Sequence, residues 1–315
     1  MGVGRISTNY AFIRSLRNIS DTFVRLDGLR ERMNTGKDIN RPSDNPTGMQ
    51  QALTLGSSIR ANEQYQKNIN SALGRLNLTS TTLTQVEDIL IELADIATTA
   101  ASEITSSAER GGQVKEVELL LEQIVHLANT RHQNKYIFGG TNTVSGARPL
   151  SQPFNIQYDS NGYISGVVQN SRGIDTLVYT TILQGVRDSM NISGSVAFQP
   201  NGAQQNGDIF DMLVNFRRNL QNNDITALQR TEQNIQNALG QVLQQNTIVG
   251  AKINRVEISY DTLNVVNLNE TDEKSLVEDS DYAKLLIEYS TAEVMLNASL
   301  SATSTLLQNS LINFI

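Results

Sequence analysis

The chain has 315 residues, is 39% hydrophobic and 18% charged, and carries a formal net charge of −7 with no cysteine and no tryptophan. The missing cysteine excludes disulfides, thiolate metal sites and thiol nucleophiles. The acidic balance argues against a general nucleic-acid binder.

The charge is uneven. Residues 1–41 hold eight Lys/Arg against four Asp/Glu, and residues 256–315 hold two against ten. A basic start and an acidic end could attract each other, or each could be a solvated face. The opening "MGVGRISTNYAFIRSL" has no continuous apolar segment of the kind a cleavable signal needs. Gly2 followed by a later Ser/Thr is only a short match to a myristoylation pattern. No run of ~18 apolar residues occurs, so no membrane insertion is expected.

In chain order, the first segment reads as a helix, because Ile13, Leu16, Ile19, Phe23, Leu26, Leu29 and Met33 recur three or four apart. It ends in "NTGKDINRPSDNP", which holds two of the five prolines. Gly36 is placed to stop the helix at its C′ position. Pro42 and Pro46 bias Arg41 and Asn45 toward extended backbone. Asn45 then suits an N-cap with Pro46 as the first helical residue. Arg41 and Asp44 stand ready for polar contacts, within one chain or with a neighbour.

Residues 47–148 and 201–315 contain no proline, and both stretches keep helical spacing through Ile69, Leu76, Leu83, Leu90 and Leu93 and through Phe210, Leu213, Leu228, Ile235 and Val242. Between them, residues 136–207 hold ten of the 21 glycines and three of the five prolines. "PFNIQYDSNGYISGVV" reads as a β-hairpin and "DTLVYTTIL" as a further strand. At the far end, Tyr282, Leu286, Tyr289, Leu296, Leu300, Leu307, Leu311 and Phe314 resume helical spacing. No charge follows Glu293, and ten of the last 22 residues are Asn, Gln, Ser or Thr. Such a helix suits enclosure by other helices.

These readings predict a mainly α chain with a small β-rich insertion, built as a long antiparallel helical bundle or coiled coil from both chain ends. The expected parts are 1–41 with 280–315, a helical body of 42–135 with 208–279, and a β-rich middle of 136–207. The terminal pair is expected to pack through Ile13, Leu16, Phe23, Leu26, Leu296, Leu300, Leu307, Leu311 and Phe314.

Catalytic patterns are missing: there is no GxSxG, P-loop, HExxH or GxGxxG in a suitable setting. His126 and His132 are six apart and point to different helix faces, so solvated or capping roles fit them better than a metal pair. "NETDEKSLVEDSD" lacks the spacing and glycine of a calcium loop. It reads as an acidic helix start, with Thr271 as N-cap or with Asp279 to Asp281 at the N-terminus.

"LDGLRERMNTGKDINRPSDNPTGMQQAL" resembles the N-terminal signature of the flagellin superfamily, through Leu26, Leu29, Met33, Thr35, Gly36, Lys37, Ile39, Ser43, Asp44, Asn45 and Pro46. "AEVMLNASLSATSTLLQNSLINFI" is similar to the matching C-terminal end. Pro42, "NKYIFGGTNTVSGARPLSQPF" and the ending "SLINFI" look more like the members at the junction of hook and filament than like flagellin itself. The resemblance implies a structural subunit with no enzymatic activity and no cofactor or metal, flagellin-like in fold, exported unfolded and ordered on assembly outside the cell. It implies as partners a ring of identical subunits, flagellin, another hook-associated protein on the hook side, and an export chaperone for the C-terminal region. A filament-forming flagellin is the alternative, and a helical module unrelated to flagella stands as the rival from another class.

Overall fold

The computed structural model describes residues 3–141, 152–170, 173–200 and 207–312. The elements are α1 (Val3–Thr35), α2 (Pro46–Ala101), α3 (Ser107–Ala128), β1 (Arg131–His132), β2 (Lys135–Tyr136), β3 (Phe154–Tyr158), β4 (Ile164–Gln169), β5 (Tyr179–Leu183), β6 (Val186–Ser189), α4 (Gly194–Phe198), α5 (Ile209–Asn222), α6 (Ile225–Glu278) and α7 (Tyr282–Ile312). The fold is mainly α with small β-hairpins. The chain forms two compact units, one of residues 1–61 with 265–315 and one of residues 62–264.

The second unit is organised by two seven-residue repeats. On α2, Ile69, Ala72, Leu76, Thr79, Leu83, Val86, Leu90, Leu93, Ala97 and Ala100 are all buried. They alternate steps of three and four, the knobs-into-holes spacing of a coiled coil. On α6, Leu228, Ile235, Val242, Val249, Val256 and Leu263 are buried at every seventh position. Between them lie Thr231, Ala238, Gln245 and Ser259, also buried. These small and polar positions hide the repeat from a search for large apolar residues. Ser80 donates to Asn246 at 2.8 Å and Gln66 to Asn264 at 2.7 Å, so α2 and α6 run antiparallel here.

Among the described residues, three two-stranded antiparallel sheets belong to this unit. The expected hairpin is β3–β4, with Phe154 opposite Gln169. Asp159 closes its turn by accepting from the backbone N–H of Asn161 and Tyr163. The second expected strand is β5, and it pairs with β6, which the sequence reading did not find. The β1–β2 hairpin was also missed. Its turn residues Gln133 and Asn134 both adopt positive φ, at 49° and 64°, the primed-turn geometry that matches strand twist.

Phe138, Phe154, Phe198 and Phe210 form one ring cluster, with centroids 5.1–5.6 Å apart. Edge-on and offset contacts of this kind add ~0.5–1.5 kcal/mol per pair beyond area burial. The cluster ties the chain before the β segment to the start of α5. Asp208 caps α5, accepting from the backbone N–H of Phe210 at 2.9 Å and of Asp211 at 3.1 Å.

One buried charge pair fastens the β3–β4 hairpin to the helices. The Arg217 Nε of α5 lies 3.2 Å from Glu118 Oε2 of α3, and Arg217 is 1% exposed. Glu118 Oε1 accepts the Ile164 N–H, while Arg217 Nη2 donates to the Ile164 carbonyl at 3.1 Å. The guanidinium also sits over the Tyr163 ring at 4.8 Å. Glu118→Ala strands this buried guanidinium, and breaking a buried pair costs about 3–5 kcal/mol. We expect a loss of that size in chemical denaturation followed by circular dichroism.

Candidate functional site

The first unit contains the two points where the long helices break. α1 stops at Thr35. Gly36 follows with φ +71° and donates its N–H to the Arg32 carbonyl at 2.8 Å. That left-handed residue is the helix stop expected at this glycine. The Asp44 N–H then donates to the Arg41 carbonyl at 3.0 Å, closing a turn with Pro42 at its second position, where a fixed φ suits the fold. Asp44 Oδ2 accepts the N–H of Arg41 at 2.8 Å and of Asn40 at 3.1 Å. These backbone donors, Arg41 first, hold the Asp44 carboxyl below its usual range. Asn45 Oδ1 accepts the Gly48 N–H at 3.0 Å, so Asn45 caps α2 and Pro46 opens it.

Arg41 meets Asp44 through its backbone and not through its guanidinium. The Arg41 guanidinium reaches back to α1, with Nη2 at 3.1 and 3.0 Å from the two Glu31 oxygens. Ile39 is buried against Gly48, where an added Cβ would lie 2.6 Å from Ile39 Cδ1. A side chain at position 48 would therefore make the Ile39 and Asn45 side chains shift.

The second break, between α6 and α7, lies directly against the first. Lys37 and Asp279 form an antiparallel bridge. Asp38 donates its N–H to the Glu278 carbonyl at 2.7 Å, and Ser280 donates its N–H to the Gly36 carbonyl at 2.9 Å. Ser280 Oγ adds a bond to Asp38 Oδ1 at 2.9 Å. Glu278 is 8% exposed and pairs with Lys37 and, at 3.2 Å, with Lys274. Asp281 caps α7 by accepting the N–H of Ala283 and Lys284. Of the two helix starts read from the acidic stretch, the one at Asp279 to Asp281 is found. Thr271 is instead inside α6, donating to the Asn267 carbonyl at 2.7 Å.

The sequence signal for this pairing is arm length. α1 has 33 residues and α7 has 31, so two antiparallel arms bring their breaks to one level. The arms pack through Leu26, Leu29, Leu285 and Ala292, with Met33, Tyr289 and Leu296 alongside. Traced back from Met33, the buried and half-buried positions of α1 are Leu29, Leu26, Thr22, Ile19, Ser15 and Phe12. This seam keeps Ile19, Leu26, Leu29 and Met33 of the apolar series read from sequence but takes Thr22, Ser15 and Phe12 where that series had Phe23, Leu16 and Ile13. Ile13, Leu16, Phe23 and Leu300 are therefore exposed in the single chain. The three–four alternation chose Thr22 and Ser15 over their bulkier neighbours Phe23 and Leu16, and Phe12 over Ile13. The side chains of Leu307 and Leu311, and all of Phe314, lie outside the described residues.

Two outcomes are expected here. Gly36→Ala forces a side chain into left-handed backbone, at about 1–2 kcal/mol, and lowers the melting temperature. Burial opposes ionisation of Glu278, but Lys37 and Lys274 outweigh it and hold the carboxyl below its usual range. A depressed folded value contributes stability that is present above the unfolded range, ~4.3, and is lost as pH falls through the folded value. The stability difference between the parent chain and Glu278→Gln should thus shrink as pH drops below ~4, as read by denaturation at stepped pH.

A family model described as the bacterial flagellin N-terminal helical region matches residues 6–143. The flagellar hook-associated protein 3 of Escherichia coli is 25% identical over 313 residues, covering 95% of each chain. The flagellin of Bacillus subtilis is 23% identical over 303 residues, covering 94% of this chain and 93% of its own. The solved hook-associated protein 3 of Legionella pneumophila shares the fold, with a TM-score of 0.57 at 17% identity over 71% of this chain and 96% of that one. The family-model match takes in α1, the joint, α2 and α3, and the chain is similar to flagellar proteins over most of its length.

Proposed function

We propose that the chain is a structural subunit of the bacterial flagellum that joins the hook to the flagellin filament, and that it is not an enzyme. The observation that carries this reading is the full-length likeness to hook-associated protein 3, terminal arms included. The proposed partners are identical subunits in a ring, flagellin on the filament side, another hook-associated protein on the hook side, and an export chaperone at the C-terminal region. The subunit is exported unfolded and works outside the cell. In this reading residues 1–41 with 280–315 form the inner layer, residues 42–135 with 208–279 the helical body, and residues 136–207 a β-rich middle domain.

The arms support an assembling role on physical grounds. A two-helix arm has a narrow seam and little core, and lone helices in water are marginal. Its outer faces carry exposed apolar residues such as Ile13, Leu16, Phe23 and Leu300. These gain burial only against another molecule. Gly36, Arg41, Pro42, Asp44, Asn45 and Pro46 set the joint from which the arm leaves. The comparable coverage of a flagellin favours a second reading, a filament-forming subunit.

Seeding on flagellin fragments separates the two. Growth into long filaments by this protein alone would overturn the junction reading. Phe23→Asp should leave monomer stability within about 0.5 kcal/mol, as for other exposed positions, yet abolish attachment of filaments to hooks. Two or three glycines inserted after Ile39 should likewise spare the second unit and impair junctions, scored by electron microscopy of flagella.

A further inference from the structure

Beside its seam with α7, α1 carries a second regular row. Tyr10, Ile13, Arg17, Ser20 and Val24 step by three, four, three and four, and every one is exposed. The apolar members are 68%, 46% and 69% exposed for Tyr10, Ile13 and Val24. The last turns of α6, in the same unit, carry a row of the same kind. Val265, Leu268, Asp272 and Leu276 step by three, four and four. Val265, Leu268 and Leu276 are 59%, 63% and 87% exposed. Each row carries three large apolar residues and one charge, with Ser20 also in the α1 row, and the two charges are opposite. Neither Arg17 nor Asp272 enters an ion pair among the described residues.

We propose that the α1 row of one copy docks on the α6 row of a second copy, with Arg17 facing Asp272. The proposal rests on the reading of the chain as an assembling subunit and names the faces that meet. Rows that both advance by three and four can interdigitate as in a coiled coil, and a single opposed charge in each fixes the register. Joining the apolar residues on either side removes them from water. The two patches differ, so each copy offers α1 to one neighbour and α6 to the other. Such head-to-tail contacts close into rings when the rotation between copies permits.

The absence of cysteine makes the test direct. Arg17→Cys and Asp272→Cys chains are mixed one to one, assembled with flagellin and a hook-side partner, and oxidised. Linked 17–272 heterodimers should dominate, and a chain carrying both substitutions should give a ladder of linked oligomers. Arg17→Asp should lose the assembled fraction, and Arg17→Asp with Asp272→Arg should recover it. Assemblies that form with no 17–272 link overturn the pairing and leave the junction reading standing. Failure to assemble with any flagellar component overturns both. Monomer that pellets with phosphatidylglycerol vesicles through Arg17, without any link, assigns the α1 row to lipid and overturns the pairing.

Discussion

The two backbone bonds between Gly36–Asp38 and Glu278–Ser280 are the constraint on which the first unit depends. A helix end leaves carbonyls or N–H groups without intrahelical partners. Here α1 ends and α2 begins around residues 35–46, and α6 ends and α7 begins around residues 278–282. The Gly36 carbonyl is satisfied by Ser280, the Glu278 carbonyl by Asp38, the start of α2 by Asn45 and the start of α7 by Asp281. Two breaks that would each be loose alone become one short antiparallel bridge. The residues it joins are about 240 apart in sequence, so its closure entropy is large, and it forms only once the arms are already antiparallel.

The side chains around the bridge refine it rather than create it. Lys37, Lys274 and Glu278 make a partly buried charge triad, and Arg41 with Glu31 braces the turn from outside. An exposed pair such as Arg41–Glu31 contributes only ~0–1 kcal/mol. Gly36 matters more, because it supplies the left-handed backbone at which α1 stops. An arm pinned at its base and apolar along its outside suits a subunit that completes its packing against neighbours.

The second unit is held by a different logic. Its helices carry seven-residue repeats, and its short hairpins are tied on by polar side chains that reach hairpin backbone. Arg217 holds Ile164, Lys252 holds the Ser189 carbonyl at 2.9 Å, Asn68 holds Thr181 at 3.1 Å and Asn129 holds Phe154 at 2.8 Å. Two-stranded hairpins are marginal by themselves. Bonds to backbone fix their position without needing a wide apolar face. The same unit hides Lys252 enough that burial pushes its ammonium below the usual range, with Asp188 opposing the change.

The sequence by itself determined the long helical stretches, the β3–β4 hairpin, the stop at Gly36 and the cap at Asn45, because each follows from local spacing, φ preference or a side chain bonding its own neighbours. It left the start of α7 open between Thr271 and Asp279 to Asp281 and did not mark the break between α2 and α3. It also carried the family likeness. Only the tertiary structure decided which apolar row of α1 faces α7. Thr22 and Ser15 lie in the seam while Phe23 and Leu16 stay outside, since the partner helix and its three–four alternation select a face that size does not mark. The same holds for the heptads of α6, whose Thr231, Gln245 and Ser259 are buried by what packs on them. The bridge from Lys37 to Asp279 joins segments remote in sequence. Local propensity carries no information about such contacts, and they exist only when the folded chain brings the two breaks together.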